Sequence, residues 1–332
     1  MKKYKYIIFS PYFGKLPAMF DLWLKSCGYN KDILFLVFTD DVYNKPLPEN
    51  VLIKPMSFAD LQKLVQSKFD FPISLKTPYK LCDYKPAFGY IFQEYLRDCT
   101  YWGHCDMDLV FGDMAKFLPR EDCDKISNMG HFCLYKNTPE ILKAFMLSSG
   151  TEITYKNVFS SSTHFGFDED DNFGINIIFK KQNMSVYPFD NYVADVSCLN
   201  HNFYLSRYKN PGFKLEYGAR AFEIKDGKVY GCIITPAGVE KQEYAYVHIQ
   251  KRRLPRLFNG TPKNYLITPR AFEPWQEMNA DFITKRQIKP SVWGKLTKVL
   301  SIKKNSSPRA LRRQLTIKKI VLFNKFKRGK YL

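Results

Sequence analysis

Short apolar runs and amphipathic stretches alternate along most of the chain. Tyr6 to Phe9 is an apolar run that predicts a strand, and a Ser-Pro-Tyr-Phe-Gly loop follows it. From Phe20 the apolar positions, Leu24 among them, recur at helical spacing until Gly28. "DILFLVFTDD" is continuously apolar before two aspartates, as in a strand covered on both faces. "SFADLQKLVQSKF" predicts a helix with Ser57 as N-cap and Leu61, Leu64 and Val65 on one face. "YKPAFGYIFQEYL" predicts another, starting near Pro86, and leads into the apolar "TYWGHCDMDLVFGD". Strand, helix, strand, helix, helix, strand is the order of an α/β domain with a mainly parallel sheet. Ligands of such sheets lie beyond the carboxyl ends of the strands, so the acids of "FTDD" and "CDMD" are expected on one edge.

Further along, "SNMGHFCLYKNTPEILKAF" predicts a short strand and a helix capped by Asn137 or Thr138. "HFGFDEDDNFGINIIFKK" is an acidic loop before an apolar segment. "AFEIKDGKVYGCII" predicts a hairpin turned at Asp226-Gly227. "EYAYVHIQKRR" predicts a strand ending in a histidine and a basic run.

Composition changes this picture at one place. The 332 residues carry a net charge of +19, yet residues 282–332 hold 16 Lys/Arg and no acid. The remainder is close to neutral, with 35 bases against 32 acids. The expected organisation is therefore one α/β body, residues 1–281, and a basic C-terminal segment, residues 282–332. With 45% hydrophobic residues the body can bury a sizeable core, which argues against disorder. Eight scattered cysteines without a CxxC pair argue against a zinc ribbon or redox motif and fit reduced thiols. No signal-peptide pattern opens the sequence, and no apolar run has the length of a membrane span. Glycine-rich phosphate loops and a Walker motif are absent, which argues against kinases and P-loop NTPases.

The chemistry centres on Asp106 and Asp108. Residues i and i+2 of a strand share a face, so the two carboxylates form a hard oxygen site suited to Mg²⁺ or Mn²⁺. By spacing alone they could equally be solvated acids at a strand end. "YWGHCDMDLVFGD" also resembles the DxD segment of GT-A-fold glycosyltransferases, of the bacterial kind that assemble polysaccharide or lipopolysaccharide. The resemblance extends over roughly residues 4 to 255, and its specific part is residues 75 to 113.

That resemblance implies a GT-A-like domain in which Asp106 and Asp108 hold the divalent metal and, through it, the diphosphate of a nucleotide-sugar donor. Asp83 with Lys85 occupies the place of the family's acid and base at the donor sugar, Lys85 standing where the family often has Arg. A surface Asp–Lys pair is the alternative. Ser10, Pro11, Tyr12 and Phe13 fall in the loop that runs under the nucleotide, and Asp40 where an acid meets base or ribose; capping the next turn is Asp40's alternative. His248 and Lys251 have the H-x-x-K layout in which the histidine completes the metal site and the lysine binds diphosphate. A lone histidine is more often structural. The four acids from Asp168 to Asp171 resemble the loop that supplies the catalytic base, with Asp168 and Glu169 the first choices. His131 falls on a strand that in the family faces the acceptor.

The expected activity is metal-dependent transfer of a hexose, from UDP-sugar rather than GDP-sugar, to a saccharide or lipid-linked acceptor. A sugar nucleotidyltransferase is one rival, although "SPYFGKLP" is a poor match to its basic glycine-rich loop. A nucleic-acid-binding protein acting through the tail is another, against which the neutral body speaks. In the tail, Trp293, Leu296, Val299 and Leu300 lie at helical spacing among Lys295, Lys298, Lys303 and Lys304, and Leu311, Leu315, Leu322 and Phe326 repeat the mixture. Such helices suit an anionic membrane surface, which places the protein in the cytoplasm at the inner face of the membrane. Helices packed on the body with a solvated basic face are the alternative.

Overall fold

The computed structural model describes residues 3–198, 200–208, 213–289 and 313–320. Its strands are β1 (Tyr6–Pro11), β2 (Ile33–Thr39), β3 (Val51–Pro55), β4 (Tyr101–Cys105), β5 (Leu109–Phe111), β6 (Lys125–Met129), β7 (Phe132–Lys136), β8 (Val186–Tyr187) and β9 (Val193–Asp195). There follow β10 (Leu205–Tyr208), β11 (Phe213–Glu216), β12 (Arg220–Lys225), β13 (Lys228–Thr235), β14 (Gly238–Tyr244), β15 (Tyr246–His248), β16 (Tyr265–Ile267) and β17 (Phe272–Pro274). The seven-stranded sheet has the order β3-β2-β1-β4-β7-β6-β8. Pairings among β3, β2, β1 and β4 are parallel, as is β6 with β8, whereas β7 is antiparallel to both its neighbours. The fold is thus mixed α/β with a large, mainly parallel sheet.

Among the described residues, those of 1–57, 94–137 and 186–288 form one compact unit and those of 58–93, 138–185 and 289–332 another. Neither unit is contiguous in sequence. All seventeen strands of the described residues belong to the first. Its core packs Ile8, Phe35 and Val37 of the sheet against Trp23 of the helix Phe20–Gly28 and against Phe111 and Tyr246. Burying a side chain of this size contributes about 1.5–3 kcal/mol. β4 needs Gly103 at its centre, because a Cβ there would stand 2.1 Å from the carbonyl oxygen of Cys133 on β7. The glycine lets β7 close on the strand that ends at the acid pair. A second antiparallel sheet, β14-β13-β12-β16-β17, contains the expected hairpin at Asp226-Gly227, where φ values of 52° and 75° are those of a type I′ turn.

Three expectations differ. β3 was not foreseen: "VLIKP" carries a lysine and a proline, tolerable because β3 is an edge strand. The segment expected as a helix from Pro86 is one α-turn, Phe88–Ile91, set between the 3₁₀ helices Pro78–Ala87 and Gln93–Tyr95. Pro86 has no N–H to offer mid-helix, and a three-residue period sets Lys80 over Asp83, 2.6 Å apart and buried. The boundary expected at 281/282 falls inside the helix Ala280–Arg286, which Asn279 caps by accepting from the Phe282 N–H at 2.8 Å. Phe282 and Ile283 are buried with Ala221, Cys232 and Leu266, so acids disappear from the sequence before the first unit ends.

The second unit is helical. Phe69, Phe145, Tyr155 and Phe159 interlock there as an aromatic cluster, each ring pair 5.4–6.4 Å apart by centroid. Thr138, rather than Asn137, caps the helix Pro139–Leu142. Trp293, Leu296, Val299, Leu300, Leu311, Leu322 and Phe326 lie outside the described residues. Residues 313–320 are helical, with Leu315 52% exposed, and Thr316 meets the Thr163 hydroxyl at 3.3 Å. All eight cysteines are free thiols. Among the described residues no helix is long and apolar enough to cross a membrane.

Candidate metal centre

In the first unit, Asp106, Met107 and Asp108 link the ends of β4 and β5. Met107 is buried and both aspartates are half-buried, the alternation a strand end imposes. β5 pairs with β15 so that Leu109 opposes His248, and β15 pairs with β9 so that His248 aligns with Asp195. Register therefore sets Asp195 beside His248 and brings the segment that carries Asp106 and Asp108 to the same imidazole. His248 Nε2 lies 3.3 Å from Asp108 Oδ1, and its Nδ1 lies 2.7 Å from Asp195 Oδ1. The ligand atoms of Asp106, Asp108 and His248 fall within 4.8 Å of one another, as do those of His131, Asp195 and His248.

The segment after His248 is bent to this site. Gln250 and Lys251 have φ values of 40° and 57°, left-handed conformations that cost non-glycine residues free energy. The bend lets the Lys251 N–H donate to Asp108 Oδ2 at 2.7 Å and Gln250 Nε2 donate to Asp195 Oδ1 at 2.8 Å. It also separates the basic residues. The Arg252 guanidinium turns inward to the carbonyls of Val196, Ile249 and Asn200, while the Lys251 side chain is exposed.

Electrostatics follow from this crowding. Burial acts to lower the His248 pKa, but the carboxylates of Asp108 and then Asp195 outweigh it and hold it at about 10. Burial acts to raise Asp108, yet the His248 charge and hydrogen bond, with the Lys251 N–H, keep it well below the usual carboxylate range. Two half-exposed carboxylates beside one imidazole nitrogen form a donor set that suits Mn²⁺ or Mg²⁺.

Tyr12 borders this set. Its hydroxyl is raised by burial first and by the charge of Asp108 second. The loop that carries it is held by the acids ending β2: the Gly14 N–H donates to Asp40 Oδ1 at 2.7 Å and the Leu16 N–H to Asp41 Oδ2 at 2.9 Å. Gly14, at φ 93°, adopts a conformation that glycine allows. Asp40 thus shapes the loop through a backbone bond. Ser10 turns into the sheet with its hydroxyl 3.2 Å from the Cys105 carbonyl, and Phe13 is 8% exposed. Pro11 and Tyr12 are the half-buried members of the loop.

The second unit gathers the other expected residues. Asp83 is fully buried. Its Oδ1 accepts from the N–H groups of Phe165, Gly166 and Phe167 at 3.1, 2.7 and 2.9 Å, and its Oδ2 accepts from Lys80 at 2.6 Å. The carboxylate expected to meet a donor sugar is therefore enclosed as the anchor of a turn. Lys85 pairs not with Asp83 but with Asp168, 3.4 Å away, both side chains under one-tenth exposed. Glu169 is exposed. Asp170 accepts from the N–H groups of Asn172 and Phe173 and forms an ion pair with Arg313.

Sequence reasoning missed Asp195. Its signal was the one used for the other acids, an aspartate closing the apolar run "NYVAD", but the run is only three residues of strand. It also left His131 without a link to the metal site. His131 Nε2 lies 3.0 Å from the Tyr246 hydroxyl, and its ring lies 3.9 Å from that of His248 by centroid.

Residues 8–276 match a family of unknown function, DUF6625. Comparison with curated proteins found no match.

Proposed function

We propose that this chain, which belongs to the DUF6625 family, transfers a hexose from a nucleotide diphosphate sugar, UDP rather than GDP, to a saccharide or lipid-linked acceptor. The observation that carries the reading is the convergence of Asp106, Asp108 and His248, distant in sequence, beyond the carboxyl end of β4 in a mainly parallel sheet. Strand order and acid pair both fit a GT-A-like fold. Asp106, Asp108 and His248 would hold Mn²⁺ or Mg²⁺, which when bound offsets charge on a diphosphate leaving group. The exposed Lys251 side chain, on a backbone tied to Asp108, supplies a second positive charge for the same phosphates. Tyr12 and the loop shaped by Asp40 offer a surface for the nucleotide. Glu169, exposed on the acidic loop, rather than Asp168, which is enclosed with Lys85, is the proposed base for the acceptor hydroxyl.

The test is nucleotide release from a panel of UDP- and GDP-sugars with Mn²⁺. Release of UDP that EDTA stops is the expected result. A ligand at 100 times its Kd raises stability by about 2.7 kcal/mol, so binding also reads out as a melting shift. No release and no shift with any sugar nucleotide would overturn the reading. His248→Ala is expected to weaken UDP binding in Mn²⁺, whereas Glu169→Gln is expected to spare it and lower kcat.

We further propose that residues 290–332 hold the enzyme at the cytoplasmic face of an anionic membrane. Deleting them is expected to abolish sedimentation with anionic vesicles, each lost base near the surface removing on the order of 1 kcal/mol. Mn²⁺ binding is expected to persist, since its side chains lie between residues 106 and 248. Equal vesicle binding by the truncated chain, or release of the intact chain from vesicles but capture by random DNA, would refute the membrane role.

A further inference from the structure

Asp195 closes β9 and is 3% exposed. Its Oδ1 faces two groups, His248 Nδ1 at 2.7 Å and Gln250 Nε2 at 2.8 Å. The other imidazole nitrogen, Nε2, faces half-exposed Asp108. A hydrogen bond accepted from one imidazole nitrogen keeps that nitrogen protonated and makes the other the ligating one. We infer that Asp195 is a positioning residue: it accepts from His248 Nδ1–H and so directs Nε2 to a cation between Asp106 and Asp108, without ligating that cation itself.

The inference rests on the proposal that Asp106, Asp108 and His248 hold a divalent ion. The same geometry contains a competing arrangement, because His131, Asp195 and His248 also bring their ligand atoms within 4.8 Å, all three buried. Ligation there would use His248 Nδ1. Two observations favour the outer set. Asp106 and Asp108 are half-exposed, so substrate oxygens can reach an ion beside them, whereas the inner set is closed on every member. Asp195 Oδ1 is already engaged by two donors, and His131 Nε2 is engaged with the Tyr246 hydroxyl. Gln250 and Lys251 are both left-handed, and each meets an acid of the site, Gln250 Nε2 at Asp195 and the Lys251 N–H at Asp108.

The experiment is Mn²⁺ titration of the full chain without donor, followed by calorimetry or by the spin-resonance signal of free Mn²⁺. Asp195→Asn is expected to weaken the Kd by about 10–100-fold, with one ion still bound per chain and the melting temperature in EDTA near that of the unsubstituted protein. Asp106→Asn is expected to weaken it further. A second measurement needs no variant: ¹⁵N-histidine spectra with Mg²⁺ should show His248 protonated at Nδ1 and bare at Nε2. An unchanged Kd in folded Asp195→Asn, a bare Nδ1, or binding lost in Asp195→Asn but kept in Asp106→Asn would each overturn the inference. If the unsubstituted chain binds no Mn²⁺, the metal reading itself falls and the positioning role with it.

Discussion

Asp106→Asn and Asp108→Asn should each lower nucleotide-sugar turnover by about 100-fold or more, the scale on which loss of one preorganised charge at a transition state is felt. Both substitutions keep the side-chain shape and remove the charge that would face a cation. They should differ in the apo-protein. Asp108 also accepts from the Lys251 N–H and stands 3.3 Å from His248, so its neutralisation loosens the bend after β15. A nucleotide-release assay with Mn²⁺, paired with thermal unfolding in EDTA, separates the two effects. Turnover at the unsubstituted rate by a folded Asp106→Asn protein would exclude the metal reading.

Asp83→Ala should destabilise the chain by about 3–5 kcal/mol, the cost of leaving one partner of a buried ion pair without the other. Lys80, 2% exposed, would keep a charge whose remaining bonds are to the carbonyls of Val158 and Thr163. Three N–H groups from Phe165 to Phe167 would also lose their acceptor. The midpoint of urea unfolding measures this directly. A loss below about 1 kcal/mol would mean that other contacts hold the turn, and would return Asp83 to consideration as a ligand-binding group.

The parts of the fold legible in the sequence were those with a single local cause. Ile33–Thr39 announced itself because a strand covered on both faces must be apolar throughout, and Asp226-Gly227 because few residue pairs accept two consecutive positive φ values. β3 was illegible because an edge position relaxes the demand for apolar residues. The setting of Asp83 was illegible for a different reason. An acid before a basic residue looks the same in sequence whether it meets solvent, substrate or a turn of its own chain, and only the 3₁₀ spacing from Lys80 distinguishes the last case. The juxtaposition of His248 with Asp106 and Asp108 could not be derived from spacing, since it arises from β-sheet register between strands far apart in the chain. It entered through family resemblance, which offered no counterpart for Asp195.

The distance along the chain between Asp108 and His248 has a consequence during synthesis. β15 fills the place between β5 and β9, and it lies 140 positions after the acid pair. At about 5–20 residues per second, a ribosome needs roughly 7–28 s to add that length. Through this interval the nascent chain carries β5 without the strand that pairs with it, and two aspartates without their imidazole. An unpaired edge is a template for unwanted pairing with another chain. A shortage of chaperone during this interval is therefore expected to lower the yield of folded protein.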